Sequence, residues 1–224
     1  GTLSVMEASR RHGVEHLILL STDKAVNPNN IMGATKRLAE LLLAHQAQPG
    51  FAAVRFGNVL GSRGSVVPTM QKQISQGGPV LVTDPKMTRF FMTIPEAVSL
   101  VLQASTLAQG GEIYLLDMGK PVRILDLAHN LIRLCGFEPE KDTAIRITGC
   151  RPGEKLEEEL VGAGERAEPT HLSKIQRVQS EPGSVPWPEE ALARLRKACL
   201  DGDNSQCRSL LMELIGLLSS SLGK

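Results

Sequence analysis

The chain has 224 residues, with 25 Lys plus Arg against 24 Asp plus Glu and a formal net charge of +1. Charges so balanced, with aromatic residues at only 3%, exclude the basic face and stacking platforms of a nucleic-acid binder. The length allows one large domain, or one and a half, around a sizeable core, and no apolar run approaches the roughly 20 residues that span a bilayer.

Thr2–Arg11 has the spacing of an amphipathic helix, closed by Gly13. His16–Leu20 reads as a short apolar strand, His16 being a packing or edge residue rather than a base. A polar stretch then leads into a helix over Ile31–Gln46, rich in Ala and Leu, and a strand over Phe51–Phe56. Val66–Gln76 is a helix stopped by Gly77-Gly78, followed by short strand-like pieces at Val80–Thr83 and Arg89–Thr93. Pro95–Leu107 is a helix with proline in its first turn. Glu112–Asp117 is a strand, Ile124–Leu134 a helix and Ala144–Thr148 a strand. Such alternation predicts an α/β fold of βαβ units around a parallel sheet.

The pattern changes beyond Glu154–Val161. Gly162–Thr170 reads as a loop, His171–Val178 as an extended piece and Ser180–Pro188 as a proline-bearing linker. Glu189–Cys199 and Ser205–Leu218 are expected helices joined by Asp201-Gly202-Asp203-Asn204. They form a hairpin that packs on the domain or on a neighbouring subunit. The expected division is therefore a main domain over 1–178 and a linker with helical tail over 179–224. Cys135, Cys150, Cys199 and Cys207 lack a Cys-x-x-Cys pair or nearby histidines, so reduced thiols and no metal site are expected.

The chemistry concentrates in Ser21–Arg37, STDKAVNPNNIMGATKR. Thr22, Asp23 and Lys24 stand at the carboxyl end of a sheet strand, where open α/β sheets bind ligands. Lys36, from the following helix, would face the same crevice. The plain alternative for Asp23-Lys24 is a solvated pair at a turn.

Four blocks in order carry a resemblance: Thr-Asp-Lys followed by Met-x-x-x-Lys where Tyr-x-x-x-Lys is usual, RFGNVLGSRGSVVP at Arg55–Pro68, TRFFMTIPEA at Thr88–Ala97 and RPGEKLEEEL at Arg151–Leu160. Together they resemble the extended short-chain dehydrogenase/reductase superfamily, and within it the UDP-N-acetylglucosamine 4,6-dehydratases of polysaccharide and glycan biosynthesis. The resemblance fades after about Val178. It implies part of a Rossmann-like, doubly wound parallel sheet with a smaller substrate-binding subdomain. It also implies NAD or NADP, a UDP-sugar substrate and a homo-oligomer. A cytoplasmic location follows, although larger relatives carry membrane helices ahead of the catalytic domain.

No Gly-x-x-Gly-x-x-Gly or Gly-x-Gly-x-x-Gly turn for a dinucleotide is present, and Gly57, Gly61 and Gly64 have the wrong spacing. The chain is accordingly expected to be the carboxyl-terminal portion of a longer enzyme and inactive alone.

By the same resemblance, Asp23 is the acid for a departing C6 hydroxyl and Lys24 the base at C5. Burial would favour the neutral form of each, while their mutual attraction opposes this. Met32 stands where a tyrosine would serve as base and cannot take a proton. Thr22 and Lys36 then position the C4 hydroxyl, with Ser21 and Lys36 toward the cofactor. Asn58, Gly64, Ser65 and Val66 are expected at the sugar nucleotide, Arg89 at its diphosphate and Glu154 at the ribose. Arg63 and Arg151 are equally well read as surface charges. Two other readings of the whole chain are a nucleotide-sugar epimerase and a noncatalytic binding or oligomerisation module.

Overall fold

The computed structural model describes residues 1–180 and 187–220. Two compact units divide the chain: unit 1 comprises Gly1–Phe56, Leu100–Asp117 and the residues from Glu159 onward, and unit 2 comprises Gly57–Ser99 and Met118–Glu158. The elements begin with α1 (Thr2–Arg11), β1 (Leu17–Leu20), α2 (Ile31–Gln46) and β2 (Phe51–Arg55). There follow β3 (Asn58–Val59), α3 (Val66–Ser75), β4 (Val80–Val82), β5 (Thr88–Arg89), β6 (Phe91–Met92) and α4 (Ile94–Ser105). Next come β7 (Ile113–Leu116), β8 (Val122–Arg123), α5 (Ile124–Leu134) and β9 (Ile145–Ile147). The chain continues with β10 (Glu165–Pro169), β11 (Ile175–Ser180), α6 (Glu189–Leu200) and α7 (Asn204–Ser220).

Unit 1 is built on a five-stranded sheet of order β1-β2-β7-β11-β10. β2 runs parallel to both β1 and β7, and all five of its residues are buried. A central parallel strand covered on both faces reads as a continuous apolar run, as Phe51-Ala52-Ala53-Val54 does. The far edge differs from expectation. β11 pairs antiparallel with β7, and β10 pairs antiparallel with β11, so the sheet is mixed. The segment Gly162–Thr170, expected as a loop, holds β10. His171–Val178, expected as one extended piece, is a turn followed by β11. Most of the expected linker Ser180–Pro188 lies outside the described residues.

α2 explains its own composition. Leu43 packs with Met6 of α1 and Phe51 of β2. Ala34, Leu38, Leu41 and Leu42 pack against Leu211, Leu214, Ile215 and Leu218 of α7. The α6–α7 hairpin therefore packs on its own chain's α2. Cys199 and Cys207 bring their thiols 3.4 Å apart where that hairpin turns. No helix among the described residues is long and apolar enough to cross a membrane.

Unit 2 has a separate core in which Met70 and Ile74 of α3, Val80 and Val82 of β4, and Ala128, Leu131 and Ile132 of α5 pack together. β4 pairs in parallel with β9, so the expected strand near 144–148 belongs to a two-stranded sheet of unit 2 and not to the main sheet. β3 pairs with β6 and β5 with β8 in two further ribbons.

Candidate active site

The exit from β1 is held to β2 beyond the end of the strand. Ser21 donates its backbone N–H to Val54 at 2.7 Å, and Asp23 donates its own to Phe56 at 3.0 Å. The chain then folds into a short 3-10 turn, Asp23–Ala25, capped by Thr22, whose hydroxyl oxygen accepts the Lys24 N–H at 3.4 Å. That hydroxyl donates to Asp23 Oδ1 at 2.9 Å, and Lys24 Nζ reaches the same oxygen at 2.8 Å. Asp23 is fully buried, while the Lys24 side chain keeps 23% exposure. Asp23 Oδ2 is buried with no hydrogen-bond partner among the described residues. A buried polar atom left unpaired costs about 1–3 kcal/mol. Buried polar atoms in native proteins nearly always carry a partner, so an orphan of this kind marks a candidate functional position.

The next helix starts close by. Asn30 caps α2 by accepting the Gly33 N–H at 2.9 Å. A Cβ at Gly33 would overlap the carbonyl oxygen of Lys24 and lie 3.2 Å from Pro28 Cβ. Only glycine lets the first turn of α2 approach the Asp23–Ala25 turn so closely. Met32 is 49% exposed in that first turn. Lys36, one turn later, donates Nζ to the Leu20 carbonyl at 3.0 Å, at the very end of β1. An ammonium carries three donors, so Lys36 keeps capacity for the hydroxyls of a ribose or a sugar.

Beneath this exit lies a buried ionic cluster that motif reading did not disclose. Ser21, expected at the cofactor, has its hydroxyl 2.6 Å from Glu40 Oε1, to which it donates. Arg55 donates to Glu40 through Nε at 3.1 Å and Nη2 at 2.8 Å, and to Glu165 through Nη1 at 2.8 Å and Nη2 at 3.2 Å. Its Nη1 also reaches the Leu160 carbonyl at 3.0 Å. Arg37 completes the cluster at 2.6 Å from Glu165 and 3.2 Å from Glu40. Burial pushes the Glu165 carboxyl up, but hydrogen bonding and attraction from Arg55 win and hold it down at about 2. Burial likewise opposes the charge on Arg55, yet the two carboxylates hold its proton more tightly than usual. The available signal was a charge inside an apolar run: Glu40 within Leu38-Ala39-Glu40-Leu41-Leu42, and Arg55 at the end of a fully buried strand.

Unit 2 carries the residues expected at the sugar nucleotide. Asn58 lies on β3 opposite Phe91 and donates its backbone N–H to Phe90 at 3.0 Å. Gly64 has φ +75 with open space around it, in the turn before α3. Ser65 caps that helix in extended conformation without a side-chain cap bond, and its hydroxyl oxygen is buried with no partner among the described residues. Val66, half-buried, packs on the unit 2 core. Arg89 is buried, and its guanidinium is turned onto protein carbonyls: Thr88 at 2.7 Å, Lys155 at 2.8 Å and Leu156 at 3.1 Å. Glu158 lies 3.7 Å from Arg89 Nε, and Glu154 4.0 Å from its Nη2. Glu154 also accepts the Arg151 N–H at 3.1 Å. Arg89 thus straps the Arg151–Leu160 motif onto β5, while Arg63 and Arg151 are exposed. A cavity of about 280 Å³ in unit 1, lined by Glu7, Arg10, Gln46, Gln48 and Trp187, contains none of these residues.

The family described as "Polysaccharide biosynthesis protein" matches residues 1–180. The capsular polysaccharide biosynthesis protein CapD of Staphylococcus aureus is 56% identical over 181 residues, 79% of this chain and 30% of CapD. A UDP-N-acetylglucosamine 4,6-dehydratase (inverting) of Campylobacter jejuni is 39% identical over 170 residues, 73% of this chain and 48% of that enzyme. The chain thus spans from under a third to about half of these relatives. In fold it is similar to the UDP-glucose 4-epimerase of Thermus thermophilus, solved as a complex with NAD. That match has a TM-score of 0.60 and 22% identity over 68% of this chain and 57% of the other, which speaks to the fold alone.

Proposed function

The chain belongs to the polysaccharide biosynthesis protein family, and on that premise we propose that unit 1 carries the acid–base centre of a nucleotide-sugar 4,6-dehydratase acting on a UDP-N-acetylhexosamine. One observation supports this most: a fully buried Asp23 whose Oδ1 is held by Thr22 and Lys24 and whose Oδ2 has no partner among the described residues. An elimination needs an acid and a base side by side. A buried carboxyl oxygen with hydrogen-bonding capacity left over suits the acid.

A nicotinamide cofactor, when bound, supplies the hydride acceptor and donor that acidify the C5 proton and later saturate C6. The donor set fits such a group, since Lys36 has ammonium donors to spare for its ribose. Lys24 takes the proton at C5, and Asp23 delivers a proton to the C6 hydroxyl as water departs. The base has then gained one proton and the acid has lost one. Once C6 is saturated, Lys24, its ammonium exchanged with solvent, returns a proton to C5, and the proton released from the C4 hydroxyl restores Asp23 through the Thr22 hydroxyl, 2.9 Å from its Oδ1. Thr22 and Lys36 hold the C4 hydroxyl, and the Lys36 charge favours the oxyanion that develops there. The thioether of Met32 only packs against the sugar. In unit 2, Ser65 Oγ and the backbone of Gly64 and Val66 meet the diphosphate at a helix start, with Asn58 on the sugar and Glu154 on the ribose. Arg89 acts on this side through the motif that it straps.

The test is incubation of the polypeptide, expressed from its full reading frame, with UDP-N-acetylglucosamine and NAD, followed by mass spectrometry. Loss of one water, abolished by Asp23→Asn and by Lys24→Ala, is expected. An unchanged mass with altered configuration would instead identify an epimerase. Binding without change would identify a noncatalytic module.

A further inference from the structure

We propose that Glu40 is a positioning residue of the site, acting through Ser21 on one side and through α2 on the other to hold Thr22, Asp23, Lys24 and Lys36 in register. Its activity arm rests on the dehydratase reading above.

Glu40 sits where both sources of the site can be held. Ser21 directly precedes Thr22-Asp23-Lys24, and its backbone is already fixed by Val54 at 2.7 Å. The hydroxyl of Ser21 donates to Glu40 at 2.6 Å, so side chain and backbone of this residue are both pinned. Glu40 belongs to α2, one turn beyond Lys36, and residues four apart on a helix share a face. A shift of α2 along its axis or about it would therefore move Glu40 and Lys36 together. Such a shift would break the 2.6 Å bond to Ser21 and the 3.0 Å bond from Lys36 to Leu20 at once.

The cluster explains how a carboxylate can serve there at 0% exposure. An isolated buried charge is costly. Arg55 meets Glu40 with a two-pronged fork and meets Glu165 with the rest of its guanidinium, while Arg37 bridges both carboxylates. Two anions and two cations cancel. Apolar residues of similar size could fill such a space at little or no cost in stability. What they could not supply is direction: the fork fixes the Glu40 carboxylate in plane, and the carboxylate in turn fixes the Ser21 hydroxyl. Glu165, on β10, and the Leu160 carbonyl tie the same guanidinium to the sheet's antiparallel edge. The β1 exit, α2, β2 and β10 thereby share one bonded set.

The test uses Ser21→Ala and Glu40→Gln in the polypeptide from the full reading frame, followed by turnover and by amide hydrogen exchange. Ser21→Ala removes one buried hydroxyl and keeps the Arg55 fork, so it remains informative if Glu40→Gln fails to fold. Expected are a fall in kcat of about ten- to a hundredfold, typical of displaced catalytic groups, and an apparent KM for sugar nucleotide within about twofold of the parent. Exchange should rise at Thr22–Ala25 and in the first turn of α2, and stay unchanged in α7. A higher KM for NAD in Ser21→Ala with kcat unchanged would make Ser21 a cofactor ligand and overturn the positioning role. Exchange rising equally throughout unit 1 would reduce Glu40 to a fold-stabilising residue, and unchanged exchange at Thr22–Ala25 would contradict the proposal outright. Absence of water loss in the parent protein would sink the dehydratase reading alone, because the exchange comparison still decides what Glu40 holds.

Discussion

Two helix entrances carry the candidate chemistry, and they are built in opposite ways. The entrance to α2 uses its own polar groups: Asn30 caps it, Gly33 is pressed onto the Lys24 carbonyl, and the strand end beside it is bonded to a buried ionic cluster. The entrance to α3 leaves polar groups unused. Ser65 makes no cap bond, its hydroxyl is buried without a partner among the described residues, and Gly64 stands in open space. Groups that must meet a proton within a fraction of an ångström are held by packing. Groups that recognise a diphosphate keep their hydrogen-bonding capacity for it.

The largest effect should come from breaking the first entrance at its root. Arg55→Met leaves Glu40 buried with Arg37 alone and should destabilise unit 1 by about 3–5 kcal/mol, as removal of one member of a buried ion pair does; denaturant unfolding measures it. Gly33→Ala is smaller in stability, about 1–3 kcal/mol for an overpacked site. It displaces the Lys24 backbone, however, and should abolish turnover while sugar-nucleotide binding survives, as read by calorimetry.

The two caps sharpen the contrast. Asn30→Ala should cost about 1 kcal/mol, the usual worth of a side-chain cap, whereas Ser65→Ala has no cap bond to lose. Ser65→Ala should leave the melting temperature unchanged and weaken UDP binding, and equal melting shifts in the two variants would erase the distinction.

Acid titrates the first entrance. The Glu165 carboxyl titrates at about 2 instead of 4.5, so its share of the stability is complete above about pH 5.5 and is lost as pH falls from about 4.5 toward 2. Unfolding free energy measured across that window should decline in the parent protein and decline less in Arg55→Met, where the guanidinium that lowers the titration is gone.

Much of this was legible because apolar spacing is local. Ile31–Gln46 and Ile124–Leu134 show their helical period directly, and Phe51-Ala52-Ala53-Val54 declares a buried strand. β10 was not legible, because Glu165-Arg166-Ala167-Glu168-Pro169 has four exposed residues and one buried carboxylate, with no apolar alternation to betray an edge strand. The strand near Ile145 was visible, but its pairing with β4 was not, since pairing is a property of two distant segments. The same limit hid the cluster. Arg55 and Glu165 are 110 residues apart, and nothing in either neighbourhood names the other. Thr22, Asp23, Lys24 and Lys36 were legible as a group because one strand end and the helix that follows it bring them together within 15 residues.

The central claim is that Asp23 and Lys24 act as one acid–base pair in an elimination. The direct measurement is turnover of UDP-N-acetylglucosamine in D2O by the polypeptide from its full reading frame, with the product read by mass spectrometry and NMR. A product that has lost water and gained one deuterium, located at C5, is expected from the parent protein and from neither Asp23→Asn nor Lys24→Ala. Water loss that persists in either variant would contradict the pair, and a product with all its oxygens would contradict the elimination.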